Sequence, residues 1–117
     1  MATLEAHATD RTVMMLDRLR FLFKSDAEIG RAIGLDPAQL SRWRRGQKPG
    51  DPSWDRLVDL FAVVSKLEGF YTARHIRQWL EGANEHLGGR NPLYMIRHGA
   101  TGDVIAAIHA TKAGAHA

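Results

Sequence analysis

Apolar residues recur at intervals of three and four along most of the chain, which is the spacing of one helix face. No convincing run alternates apolar and polar residues, as a half-buried strand would. The pattern predicts helices near residues 12–23, 26–33, 36–45, 51–68 and 72–87, of which the second is short, and two further short helices near 92–98 and 103–111. We therefore expect an all-α fold.

Capping residues sharpen the limits of the second and third predicted helices. Ser25 or Asp26 caps the second helix, and Gly34 ends it, because glycine readily adopts the left-handed conformation that terminates helices. Asp36 is a good N-cap, Pro37 suits the first helical position, and Gln39 completes a capping box. Thr12 is the expected N-cap of the first helix, and Asp51 or Ser53 that of the fourth. Gly88-Gly89 is expected to end the fifth helix.

The second and third helices together have the layout of a helix-turn-helix. Gly30 allows the two helices to approach closely, and Gly34 permits the tight turn between them. Leu35 fills the space beside that turn, while Leu40 and Trp43 anchor the third helix in the core. The alternative is that the two helices only pack against each other and do not read DNA. Against it, a short helix, a glycine turn, a strong N-cap and basic residues at the end of the third helix occur together.

A basic cluster follows the turn, since Arg42, Arg44, Arg45 and Lys48 lie within seven residues that contain no acid. Such a cluster favours binding to phosphates. The residues that we expect to contact DNA are Ala38, Gln39, Ser41, Arg42, Arg44, Arg45 and Lys48.

The segment from Leu40 to Gly46 is typical of the recognition helix in the Cro and phage-repressor class, which this region resembles. The resemblance implies that Gln39, Ser41 and Arg42 meet base edges, while Arg44, Arg45 and Lys48 meet phosphates.

The second half of the chain carries a further set of motifs. They are Trp79-Leu80, Asn84, Leu87-Gly88-Gly89, Asn91-Pro92-Leu93, Gly99 and Val104-Ile105. Together they resemble the toxin-binding region of the Xre/MbcA/ParS antitoxin family, and the resemblance spans about residues 27–111. It implies a helix-turn-helix domain at residues 1–70 joined to a toxin-binding module at 71–117. It also implies a partner toxin, commonly a RES-domain enzyme that destroys NAD and is neutralised by occlusion of its active site.

The last predicted helix is apolar on more than one face, so one face is available to a partner. Trp79 and Leu80 are expected mostly in the core. The candidate toxin-binding residues are Tyr94, Met95, Arg97, His98, Ile105, Ile108 and Lys112. Either the tail enters the toxin's cleft, with Lys112 offering a cation to the pyrophosphate pocket of NAD, or the module covers the cleft mouth. The small residues of the tail favour insertion.

Other classes of protein are disfavoured. There is no cysteine, and none of the six histidines has the i, i+4 spacing of a metal site on a helix. We expect no catalytic residue, metal, cofactor or enzymatic activity, and no contact with a membrane. Without a signal-peptide pattern or an apolar stretch of about 18 residues, a cytoplasmic location is expected. We expect a homodimer bound to operator DNA, since one helix-turn-helix reads only a half-site. The alternative function is a free-standing transcriptional regulator.

Overall fold

The computed structural model describes residues 4–115 as an all-α protein, which confirms the predicted fold class. The helices are α1 (Leu4–Leu19), α2 (Asp26–Ile33), α3 (Pro37–Arg44), α4 (Asp51–Leu67), α5 (Ala73–Glu81), α6 (Pro92–Arg97) and α7 (Thr101–Ala115), with a 3-10 turn at Glu85–Leu87. Over this range, strand-like pairing is limited to an isolated bridge between Glu68 and Tyr71. None of the described helices is both long and apolar enough to cross a membrane.

The chain divides into two compact units, unit 1 (Met1–Val58) and unit 2 (Asp59–Ala117), and the division falls inside α4. The division near residue 70 between a helix-turn-helix domain and a toxin-binding module stays a prediction.

In unit 1, α1, α2 and α3 pack against one another. Their shared core includes Leu16, Leu19, Ile29, Ile33, Leu40 and Trp43, all at most 3% exposed. Two of the predicted caps are present, with Ser25 rather than Asp26 capping α2: Ser25 Oγ accepts from the Glu28 amide at 3.1 Å, and Asp36 Oδ1 accepts from the Ala38 amide at 2.9 Å. Gly34 ends α2 with a left-handed φ of 74°.

The predicted limits of α1 are wrong at both ends. The helix begins at Leu4, and Thr12, predicted as its cap, is buried in its middle. A helical backbone satisfies its own hydrogen bonds, so it does not need an apolar stripe in every turn. At the other end, the amides of Leu22 and Phe23 both donate to the Leu19 carbonyl at 3.0 Å, and this tight turn ends the helix before Phe23.

The predicted end of α5 is also wrong. The helix stops at Glu81 rather than Leu87, because Gly82 adopts an extended conformation (φ −85°, ψ 159°). Asn84 then caps the separate 3-10 turn, its Oδ1 accepting from the His86 amide at 2.9 Å. Gly88, with φ 65°, ends that turn instead of α5.

In unit 2, α5 and α7 pack against α6, and the 3-10 turn packs against α7. The core of this unit includes Leu60, Val64, Ile76, Leu80, Leu93, Ile96, Val104 and Ile108. α7 begins at Thr101, two residues before the predicted start at Asp103. The nearly buried Thr101 hydroxyl donates to Asp59 Oδ2 at 3.0 Å, which ties the start of α7 to α4.

Candidate DNA-binding and partner-binding surfaces

The closeness of α2 and α3 depends on Gly30. A Cβ atom at this position would lie 3.0 Å from the Leu35 carbonyl oxygen and 3.4 Å from Leu40 Cδ1. The Leu35 amide also donates to the Gly30 carbonyl at 2.8 Å. The missing side chain at Gly30 therefore lets the turn fold back onto α2.

Most of the candidate DNA-binding side chains share the outer side of unit 1. Those exposed on or just after α3 are Ala38, Ser41, Arg42, Arg45 and Lys48, and Gln39 is half-buried. The buried side of α3 is formed by Leu40 and Trp43, so the exposed residues follow from helical periodicity. The exposed set contains three cations, which gives this surface the charge that phosphates require.

Arg44 is placed differently from the other DNA candidates. Its guanidinium is half-buried and forms ion pairs with Asp17 of α1 and Asp26 of α2. A phosphate could reach Arg44 only in competition with these two carboxylates. The structure therefore does not support the predicted phosphate contact at Arg44.

Arg56 is a relevant residue that the sequence analysis missed. It lies on α4, and its Nη1 donates to the Gly34 carbonyl at 3.3 Å. This bond satisfies a carbonyl at the end of α2, where helix carbonyls lack partners within the helix. Arg56 therefore braces the turn that leads into α3.

On unit 2, three side chains form a stack along one side of α6, which we call the α6 ladder: Arg90, Tyr94 and His98. Arg90 Nη1 donates to Tyr94 Oη at 3.1 Å, and its Cζ lies 5.0 Å from the ring centroid. The rings of Tyr94 and His98 stack with centroids 4.1 Å apart. His98 Nδ1 lies 2.8 Å from the Tyr94 carbonyl, so Nδ1 carries the proton that is donated there.

The α6 ladder joins two predicted toxin-binding residues to one that was not predicted. Arg90 was missed because it precedes the helix, although its spacing of four from Tyr94 is a usable signal. Arginine and tyrosine are enriched among the residues that dominate protein–protein binding. Arg90 and His98 are exposed, and Tyr94 is half-buried.

The other predicted toxin-binding residues are divided by burial. Met95, Arg97 and Ile105 are half-buried, so part of each remains accessible. Ile108 is fully buried, and its predicted place on the outer side of the last helix is wrong. The i, i+4 spacing from Val104 places Ile108 on the same inward face of α7.

Two adjoining depressions lie between α7 and the segment of the 3-10 turn, with volumes of about 600 and 550 Å³. Both are lined by His86 and Ala110, and Met95 contributes to the second. Small residues of α7 form much of their floor, with Glu85 and Asp103 as the nearby acids. These depressions leave α7 accessible beside the predicted residue Met95.

Lys112 is not a free cation on a flexible tail. Its Nζ donates to the Lys66 carbonyl at 2.7 Å and lies 5.6 Å from the centroid of the Phe70 ring. α7 continues as a helix to Ala115, four residues beyond the predicted end of the last helix at residue 111. Residues 116 and 117 of the predicted tail lie outside the described residues. The ammonium thus stabilises the C-terminal end of α4, where helix carbonyls favour a positive charge.

Trp79 and Leu80, both expected mostly in the core, differ in burial. Leu80 is fully buried, whereas Trp79 is half-buried. Trp79 lines a shallow depression of about 340 Å³ with Tyr71, His75 and Gln78. Within the described part of the chain, no three His, Cys, Asp or Glu side chains are grouped in a way that could hold a metal ion.

Comparison with known proteins agrees with this architecture. The sequence matches no protein-family model and no curated protein. The structure is that of an all-α protein with a helix-turn-helix in its first unit. Among solved structures, it is similar to a chain in the crystal structure of the M. tuberculosis MbcT-MbcA toxin-antitoxin complex, with a TM-score of 0.67, 23% sequence identity and coverage of 97% of both chains. The resemblance to the Xre/MbcA/ParS family is thereby confirmed at the level of the fold.

Proposed function

We propose that this protein is the antitoxin of a type II toxin–antitoxin pair and acts by binding rather than by catalysis. The observation that carries the proposal is the similarity in fold, over 97% of both chains, to a chain of a toxin-antitoxin complex. The similarity includes unit 2, which a helix-turn-helix regulator would not need for reading DNA. The proposed partner is a RES-domain toxin that degrades NAD, as the sequence resemblance implies.

The α6 ladder is the proposed centre of the toxin-binding surface, together with Met95, Arg97 and Ile105. Its stacked guanidinium and rings offer both apolar area and hydrogen-bonding groups. Because Lys112 is held by α4, we propose that unit 2 covers the mouth of the toxin's cleft. Insertion of the tail would require Lys112 to leave the Lys66 carbonyl.

The test uses the product of the reading frame adjacent to this one, if it encodes a small RES-type enzyme. We expect the two proteins to copurify, and co-expression to restore NAD in cells that produce the toxin. Arg90→Ala combined with Tyr94→Ala should weaken toxin binding at least tenfold, as hot-spot residues do. The matched control is Arg74→Ala, which removes the same charge from an exposed site on α5.

Lys112→Gln distinguishes the two modes of neutralisation without shortening α7. Covering of the cleft predicts full restoration of NAD by this variant, whereas insertion predicts loss of neutralisation with binding retained. Failure of the intact protein to bind any such enzyme would favour the alternative of a free-standing regulator.

We infer that the protein also binds duplex DNA and regulates its own promoter. The exposed cations Arg42, Arg45 and Lys48 support this inference. Replacing Arg45 or Lys48 with alanine should reduce the slope of log affinity against log salt by about one unit, and Arg42→Ala should also relax sequence preference. Salt slopes unchanged from the intact protein in all three variants would exclude this surface, with Arg74→Ala as the control.

We propose a homodimer as the DNA-binding form, because two half-sites supply the affinity that one lacks. Met14 and Phe21 of unit 1 support this proposal, since they are 43% and 51% exposed. Light scattering of the intact protein should give twice the monomer mass, and Met14→Glu with Phe21→Glu should reduce it. A monomer mass at tens of micromolar, with and without DNA, would contradict the dimer.

A further inference from the structure

Arg44 connects the recognition helix α3 to both other helices of its bundle. Its Nε and Nη2 donate to the two carboxylate oxygens of Asp26, the latter at 3.0 Å, and its Nη1 donates to Asp17 Oδ1 at 2.7 Å. Asp17 lies on α1, whereas Asp26 lies in the first turn of α2. We call these three residues the Arg44 clamp.

In the clamp, all three nitrogen atoms of the Arg44 guanidinium donate hydrogen bonds. The bidentate pairing with Asp26 fixes the guanidinium plane, and the bond to Asp17 engages the remaining terminal nitrogen. Hydrogen bonding to Asp26, and then to Asp17, raises the pKa of Arg44 above its usual value, while partial burial opposes the rise. The guanidinium of Arg44 therefore keeps its positive charge in the folded protein.

Charge in the clamp opposes a direct role in phosphate binding. Two carboxylates surround one guanidinium, and Arg20 Nη1 approaches Asp26 Oδ1 at 3.5 Å, with side-chain exposures of 44% and 19%. The Arg44 side chain itself is 29% exposed, whereas its neighbours Arg42 and Arg45 are exposed. Releasing Arg44 toward DNA would leave the partly buried Asp26 without its bidentate partner.

We propose that Arg44 is a positioning residue, which sets the orientation of α3 so that Arg42 and Arg45 meet DNA together. This inference rests on the proposed DNA binding. A negative charge by itself weakens DNA binding. The distinctive consequence of the proposal is that Asp17 and Asp26 nevertheless strengthen sequence-specific binding.

The test compares two probes: a duplex selected from a random pool by the intact protein, and a scrambled duplex of the same length and composition. Affinities are measured at a temperature where circular dichroism shows each variant to be fully folded. Asp26→Asn should bind the selected duplex about tenfold more weakly, while binding the scrambled duplex equally or more tightly because a negative charge is gone. Asp17→Asn, at an exposed and less demanding site, should act in the same direction with a smaller change.

Arg44→Ala separates positioning from phosphate contact. Positioning predicts weaker binding to the selected duplex, with a salt slope close to that of the intact protein. Arg45→Ala is the matched control. It should weaken binding to both the selected and the scrambled duplex, and it should reduce the salt slope by about one unit. The double variant of Arg44→Ala with Asp26→Asn should bind no more weakly than Arg44→Ala, because both changes break the same interaction.

Three results would overturn the proposal. Tighter binding of both duplexes by Asp26→Asn would mean that the acid only repels DNA. A lowered salt slope in Arg44→Ala would mean a phosphate contact, and unchanged affinities with only a lower melting temperature would mean a purely structural ion pair. A selection that enriches no sequence would instead refute the proposed DNA binding itself, and the positioning role with it.

Discussion

Substitution of Gly30 with alanine tests whether the close approach of α2 and α3 is necessary. The new methyl group would lie 3.0 Å from the Leu35 carbonyl oxygen, closer than Cβ atoms normally come to oxygen, and 3.4 Å from Leu40 Cδ1. The carbonyl belongs to the backbone, and the amide of the same residue is bonded to Gly30. The backbone must therefore shift to admit the methyl group.

Two opposing contributions set the size of the effect. Alanine is better than glycine in a helix interior by about 1 kcal/mol. Forcing an extra methyl group into a packed site costs about 1–3 kcal/mol. We expect Gly30→Ala to lower the free energy of unfolding by about 1 kcal/mol, and Gly30→Val to lower it further, because its branched side chain also approaches Leu40.

Gly102 provides the matched control. It lies in α7, is exposed, and a Cβ atom there would meet nothing within 4 Å, so Gly102→Ala should raise the free energy of unfolding by up to about 1 kcal/mol. Urea denaturation followed by circular dichroism measures both variants, with equal m-values required for the comparison. If Gly30→Ala stabilises the protein as much as Gly102→Ala does, the close packing of the turn against α2 is not what requires glycine.

Three further stability predictions can be checked by the same denaturation assay. Thr101→Val removes the 3.0 Å bond to Asp59 and should cost about 1–3 kcal/mol; a loss below 0.5 kcal/mol, as a rough limit, would show that water replaces it. Gly88→Ala should cost about 1–2 kcal/mol because φ is 65°, and an unchanged midpoint would contradict this. Lys112→Gln should cost about 0.3–1 kcal/mol in low salt, an effect that should shrink as salt is added.

The parts of the fold that the sequence predicted well are those with local signals. The start of α2 follows from Ser25 and that of α3 from Asp36, since each side chain accepts a hydrogen bond from an amide two or three residues later. The turn at Gly34 is equally local. Core positions of α3 also followed from periodicity, because Leu40 and Trp43 are three residues apart and both buried.

The end of α5 shows where local patterns compete. An apolar position at Leu87 continued the helical stripe, and it is indeed buried. The chain nevertheless leaves the helix at Gly82, and Asn84 starts a new turn, so Leu87 reaches the core from a different element. Periodicity identified the buried residue but not the backbone that carries it.

The site residues that the sequence misjudged depend on distant partners. Arg44 has the same local context as Arg45, yet its carboxylate partners are 27 and 18 positions earlier in the chain. Lys112 bonds to a carbonyl 46 positions away. One sequence without its fold contains no signal for such pairs, so both residues were taken for free cations.

The α6 ladder bears on the thermodynamics of association. Long side chains usually lose rotational freedom when they become part of an interface, at about 0.5–1.5 kcal/mol for each immobilised side chain. Arg90, Tyr94 and His98 already share one stacked arrangement in the unbound chain. Part of that loss of entropy therefore occurs during folding, and a partner that contacts the stack meets side chains that are already arranged against one another.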